Sequence, residues 1–196
     1  PNLAQVPSDH EFRKLFRASP GYVMVGADLA GIELRMLAHY LARYDGGRYG
    51  DVPLNGDIHQ ENADKIGISR RLVKTVTYAL LYGAGDHKIG LSYDAQLSTQ
   101  AAKKKGAEIR QAYMDAIPGP EKLVNAVKSK AESGYINLCD GRRCAVGGSH
   151  KALNYLLQGS AGIVAKQWMV IANDNFPTID NEYLFHTHQL AFIHDE

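Results

Sequence analysis

Apolar residues recur at helical spacing over most of this chain, with continuous or alternating apolar runs in only a few short places. Glu33, Leu37, Tyr40, Leu41 and Tyr44 return to one side of a helix running from about 31 to 44, and Asp45-Gly46-Gly47 ends it. A loop is expected from there to Asp57, followed by helices over 58–65 and 69–82, the second stopped by Gly83-Ala84-Gly85. Helices over 98–115 and 119–133 flank Pro118-Gly119-Pro120. A long helix over 151–174 carries Leu153, Leu156, Leu157, Ile163, Val164 and Trp168. Tyr22 to Asp28 reads as a short buried strand ending on an acid. Strands are also expected at 135–138 and 144–146 around Asp140-Gly141-Arg142, and from Tyr183 to Ile193. Phe12, Leu15 and Phe16 are expected to pack onto the body.

Composition narrows the picture a little. The chain has 196 residues, 45% hydrophobic and 22% charged, which suits one ordinary globular domain rather than a disordered chain. A net charge of +1 identifies no partner, but cations cluster at Arg70, Arg71 and Lys74, at Lys103 to Lys105, and at Arg142 and Arg143. Such clusters suit phosphate-bearing ligands, although a lysine triplet on a helix also serves as a solvated face. The two cysteines, Cys139 and Cys144, could face one another in a hairpin; they read as reduced cytosolic thiols. No apolar run approaches the ~20 residues that span a bilayer. The opening Pro1 and the stop at Glu196 suggest a piece of a longer protein.

Three segments carry chemistry. In Arg70-x3-Lys74-x3-Tyr78-x3-Tyr82-Gly83 each step of four turns a helix by about 400°, so the four side chains form one stripe about 18 Å long. Two cations followed by two rings suit a nucleoside triphosphate; a basic turn leading into a half-buried aromatic seam would look the same. Asp28, in Asp28-Leu29-Ala30-Gly31-Ile32-Glu33-Leu34-Arg35, sits where a metal-binding carboxylate or a helix cap would sit. Glu33 and Arg35 alone read as a surface ion pair. His194-Asp195-Glu196, after the apolar Leu190 to Ile193, is a solvated turn or a metal site. Asn154 and Gln158 share one helix face and could reach base edges or simply be hydrated. His186 and His188 share a strand face with His194 near by, but no acid or thiol completes a zinc site.

Taken in order, these segments resemble the three motifs of family A (Pol I-type) DNA polymerases, most closely the replicative enzymes of short-tailed phages. Supporting matches are Pro1-Asn2-Leu3-Ala4-Gln5-Val6-Pro7, Asn55-Gly56-Asp57-Ile58-His59, Asp140-Gly141-Arg142 and Leu153-Asn154-x3-Gln158. The resemblance implies an α+β fold over 1–196. An antiparallel palm sheet (1–57 and about 116–196) would carry the carboxylates, with a helical fingers insertion over about 58–115. Thumb and exonuclease domains would be missing. It implies template-directed DNA synthesis from dNTPs on a primer-template, in the cytoplasm, with two Mg²⁺ ions replaceable by Mn²⁺. A processivity factor would bind through the missing thumb, and no membrane would be involved.

The same resemblance implies the residue roles. Asp28, Asp195 and the backbone carbonyl of Leu29 would hold the metals, with Glu196 auxiliary. Arg70, Lys74 and His59 would grip the triphosphate, Lys74 also donating a proton to pyrophosphate. Tyr78 would border the sugar and Glu33 exclude a ribose 2′-hydroxyl. Tyr82 and Gly83 would lie by the template base, with Arg35, Asn154, Gln158, His194 and Arg142 along the duplex. A single-subunit RNA polymerase shares the aspartates and the Lys-to-Tyr-Gly run, but Glu33 has no use where ribose must enter. A non-catalytic nucleic-acid-binding remnant is the other alternative, against which both aspartates being present argues. The tyrosine at 78, where many cellular members have Phe, implies ready dideoxynucleotide insertion. Tyr78→Phe in the full-length protein should therefore raise discrimination against dideoxy terminators; an unchanged ratio of dideoxy to deoxy insertion contradicts this.

Overall fold

The computed structural model describes residues 6–7, 9–55, 58–81, 83–117, 119–175 and 189–192. Its helices are α1 (His10–Arg13), α2 (Ile32–Asp45), α3 (Arg48–Asn55), α4 (Ile58–Ile66), α5 (Arg70–Leu81), α6 (Asp86–Tyr93), α7 (Thr99–Ala116), α8 (Pro120–Ala131) and α9 (Ala152–Asp174). Two strands, β1 (Tyr135–Asn137) and β2 (Arg143–Ala145), pair antiparallel with Ile136 opposite Cys144. The result is a predominantly helical α+β structure with a two-stranded antiparallel sheet. Among the described residues, 58–117 contain helices and turns only. No described helix is long and apolar enough to cross a membrane.

The chain divides into two compact units, Glu33–Ser160 and a second made of Pro1–Ile32 with Ala161–Glu196. The core of the first draws on helices α2, α5, α6, α7, α8 and α9 and on β1. Leu41 of α2, Val73 and Val76 of α5, Ile89 of α6, Ala102 of α7 and Ala152 of α9 are fully enclosed, with Leu123, Val127, Ile136 and Leu157 nearly so. Small residues set how closely the helices approach. A Cβ on Gly90 of α6 would overlap the backbone of Ala102, and one on Gly106 of α7 would overlap the carbonyl of Asp86. These two glycines let α6 and α7 pack backbone to backbone. Gly119 precedes Pro120 in the left-handed region (φ 97°), and a Cβ there would stand 2.8 Å from Cβ of Tyr44. Its glycine is thus required twice, by conformation and by the approach of α2.

Several expectations need correction. The loop expected after Asp45 contains α3. The Asp45 carboxylate accepts from the backbone N–H groups of Gly47 and Tyr49, both at 2.8 Å, so the residues that end α2 also start the next helix. Helix α6 was not anticipated, because Gly85, Gly90 and Ser92 interrupt its short apolar pattern. The buried strand expected at 22–28 does not form: these residues carry no strand, and Val23 and Val25 are 85% and 87% exposed. An apolar run becomes a strand only where a neighbour takes its backbone bonds, and among the described residues the strands are β1 and β2, paired with each other. Phe12, Leu15 and Phe16 are exposed as well, since the one-turn helix α1 is held by local bonds from Asp9 and Glu11 and offers too little face to dock. Residues 189–192 form no strand, and the rest of 183–193 lies outside the described residues. The cysteines do not face one another: Cys144 is opposite Ile136 while Cys139 lies in the turn, and both are free thiols.

The α6–α7 contact gives a direct check on this packing. Gly90→Ala or Gly106→Ala should destabilise the protein by about 1–3 kcal/mol through overpacking, read from urea or thermal unfolding. Stability equal to the unsubstituted chain would mean the helices can move apart at no cost.

Candidate nucleotide-binding site

Within the unit Glu33–Ser160, α5 is divided lengthwise. Val73, Val76 and Thr77 are buried, whereas Arg70 and Lys74 are exposed and Tyr78 is half-buried. Arg70, Lys74 and Tyr78 thus form the stripe expected from their four-residue spacing, and Ser69 supports the start of the helix by accepting from Leu72 N–H. Helix α4 brings His59 to this stripe. Its imidazole is 7% exposed, and its ring centroid lies 6.1 Å from that of Tyr78 with the planes inclined by 46°. His59 stands on a separate helix, fifteen residues before Lys74, so periodicity alone could not have joined it to the Lys74 stripe.

The end of α5 is fixed by two contacts. Gly83 adopts a left-handed conformation (φ 70°), and a Cβ there would lie 3.3 Å from the carbonyl oxygen of His150. That approach brings the α5 terminus beside the 3-10 turn Ser149–Lys151 that leads into α9, where Asn154 is half-buried and Gln158 exposed. Arg110 of α7 makes the second contact, donating through Nε to Asp86 and through an Nη to the carbonyl of Ala84, both at 2.6 Å. Sequence reasoning missed Arg110. Its only signal was a cation at helical spacing from the buried Gly106 and Tyr113, which does not separate it from a solvated one.

The hairpin candidate is already engaged. Arg142 donates from its backbone N–H and its guanidinium to Asp140. Desolvation pushes the Asp140 carboxyl up, but those Arg142 contacts outweigh it and hold the group below the usual carboxylate range. Beside it, Lys130 and Arg143 lie 4.2 and 4.5 Å from the Tyr135 ring centroid, and these cations draw the phenol below its ordinary pKa. The turn is anchored from beneath by Ser160, which is fully buried, hydrogen-bonds Tyr40 of α2 at 2.7 Å and accepts from Cys139 N–H at 3.2 Å.

Glu33 is half-buried and Arg35 exposed on the first turn of α2. Asp28 and Leu29 belong to the other unit. Asp28 is exposed on a segment that forms no strand, and the Leu29 carbonyl accepts from Ile32 N–H at 3.2 Å, leaving a second lone pair. These are hard oxygen donors of the kind Mg²⁺ takes. Tyr82, His186, His188, His194, Asp195 and Glu196 lie outside the described residues, and among those described no three acids, histidines or cysteines cluster as a metal site.

The whole chain, residues 1–196, matches the family described as DNA polymerase family A. It is 31% identical to the DNA-directed DNA polymerase of Enterobacteria phage T3 and 30% identical to that of Escherichia phage T7, in each case over 100% of this chain and 31% of the relative. It is 28% identical to DNA polymerase I of Deinococcus radiodurans over 98% of this chain and 22% of that protein. Among solved structures it is similar to the POL domain of Pol1 from M. smegmatis in complex with DNA primer-template and dNTP. That match has a TM-score of 0.63 and 26% identity, covering 88% of this chain and 35% of the other. The chain belongs to DNA polymerase family A. It spans about a third of the length of the phage relatives it matches.

Arg110→Ala should release the Gly83–Gly85 turn and cost about 1–2 kcal/mol, the scale of charge-assisted bonds at a half-exposed position. Arg110→Lys should recover only part of it, because one ammonium cannot span both acceptors. Equal stability of all three proteins in urea unfolding would rule out this anchoring role.

Proposed function

We propose that this chain forms the nucleotide-binding and catalytic part of a DNA-directed DNA polymerase, with palm residues at 1–57 and about 116–196 and fingers at about 58–115. The observation that carries the reading is the exposed side of α5, where Arg70, Lys74 and Tyr78 align and His59 closes on Tyr78. The family match supports it, as does the similarity to a polymerase domain bound to primer-template DNA and dNTP.

In the reaction, the primer 3′-hydroxyl oxygen bonds to the α-phosphorus of a dNTP while the bond from that phosphorus to the bridging oxygen of the β-phosphate breaks. The hydroxyl proton passes to solvent water, and pyrophosphate departs carrying the bonding electrons. Arg70, Lys74 and His59 hold the triphosphate by charge and hydrogen bonds, and Lys74 donates a proton to the departing pyrophosphate. Tyr78 borders the sugar and Glu33 occupies the space a 2′-hydroxyl would need. Asn154, Gln158 and Arg35 contact the duplex where acceptors are common to all base pairs, so they test pair geometry rather than sequence. Arg142 must give up or share Asp140 to reach a phosphate. Asp28, the Leu29 carbonyl and Asp195, with Glu196 auxiliary, would hold two Mg²⁺ ions, whose chemistry is to stabilise charge on the attacking and leaving oxygens. The setting would be the cytoplasm of a bacterium or of a phage host.

Primer extension by the full-length protein with Mg²⁺ tests this reading. Asp195→Asn should abolish extension, and Lys74→Ala should slow incorporation by about 10²–10⁴-fold, the range of a general acid. Deoxynucleotides should be used in preference to ribonucleotides. DNA binding without extension by the unsubstituted protein would identify a passive binder, and equal use of ribonucleotides would favour an RNA polymerase.

A further inference from the structure

Two threonines on α5 behave differently. Thr75 is exposed and its hydroxyl donates to the carbonyl of Arg71 at 3.0 Å, the local bond a helical threonine usually makes. Thr77 is 1% exposed and forgoes that bond, donating instead at 3.1 Å to the hydroxyl of Tyr113 on α7. Tyr113 is itself 3% exposed. Its hydroxyl lies beside that of Tyr49 on α3, and Tyr49 in turn lies beside the Asn62 amide on α4, one turn beyond His59. Tyr49 Oη and Asn62 Nδ2 are enclosed without an aligned hydrogen-bond partner among the described residues. Burial pushes both phenols above their ordinary range, so they stay neutral donors and acceptors.

We infer that the Thr77–Tyr113 hydrogen bond is a positioning device that sets the rotation of α5 about its axis, and through it the placement of Lys74 and Tyr78 against an incoming nucleotide. This rests on the reading of α5 as the nucleotide-binding helix. Val73 and Val76 bury the same side of α5, but apolar contact is non-directional and tolerates a turn of several degrees. A hydroxyl pair is directional. Side chains reach about 5–6 Å from a helix axis, so a 10° rotation moves their ends by about 1 Å. A shift of about 1 Å is enough to degrade a reacting geometry. Thr77 immediately precedes Tyr78, so the bond acts where the ring that contacts the sugar leaves the helix. Tyr113 also abuts the Tyr49–Asn62 pair, which links the same point to the helix carrying His59.

Steady-state incorporation by the full-length protein tests the inference with Thr77→Val, Thr77→Ser and Tyr113→Phe. Thr77→Val and Tyr113→Phe should each raise KM for dNTP about three- to tenfold while kcat stays within about twofold and primer-template affinity is unchanged. Thr77→Ser, which keeps the hydroxyl, should restore the KM. The double substitution should be no worse than the larger single one, because both remove one bond. A Thr77→Val protein that melts like the unsubstituted one and has an unchanged KM overturns the inference. So does a raised KM accompanied by loss of kcat and of DNA affinity that tracks lost stability and is not rescued by serine. Should Thr77→Val not accumulate as folded protein, Tyr113→Phe is read by the same criteria. Absence of extension by the unsubstituted protein overturns the polymerase reading and this inference with it, whereas extension with unchanged KM overturns this inference alone.

Discussion

Helix α5 can present Arg70, Lys74 and Tyr78 on one side only because Val73, Val76 and Thr77 are held on the other. The rest of the first unit is arranged around that division. Helix α4 supplies the ring that meets Tyr78, α7 supplies the hydroxyl that meets Thr77, and Arg110 with the His150 carbonyl fixes the turn where α5 ends. Burial drives the packing, but it fixes which side faces inward more firmly than it fixes the angle. The polar contacts at Thr77 and Arg110 supply direction where the apolar ones cannot.

The same economy appears in the glycines. Gly90 and Gly106 bring α6 and α7 into backbone contact, which seats Arg110 opposite Asp86 and Ala84. Gly83 combines a left-handed conformation with the nearness of His150, joining the end of α5 to the start of the helix that carries Asn154 and Gln158. The surfaces around α5 are thereby assembled at spacings set by missing side chains. Arg142 is a different case: Asp140 neutralises it in place, which keeps the hairpin ordered and makes any phosphate contact an exchange of partners.

What the sequence disclosed follows from how far each signal reaches. Helices α2, α4, α5, α7, α8 and α9 were legible because amphipathic spacing is local, and the hairpin because Asp140-Gly141-Arg142 is a turn by composition. Helix α3 was hidden because its start depends on Asp45 serving two elements, and α6 because its identity lies in backbone contact with α7 rather than in an apolar stripe. The run at 22–25 has a strand's composition, yet it forms no strand and its valines are exposed, which no local pattern reveals. Of the site, the α5 stripe was readable by spacing, and the roles of Asp28, Glu33 and His59 entered through family resemblance. Arg110, Tyr113 and Ser160 escaped notice because each acts through a residue distant in sequence.

The central claim is that the exposed side of α5 receives the triphosphate. It is met most directly by a structure of the full-length protein with primer-template DNA, a non-hydrolysable dNTP and Mg²⁺. The account predicts phosphate oxygens within hydrogen-bonding distance of Lys74 and Arg70, with the sugar against Tyr78. A nucleotide bound elsewhere, with that side of α5 in solvent, would contradict it.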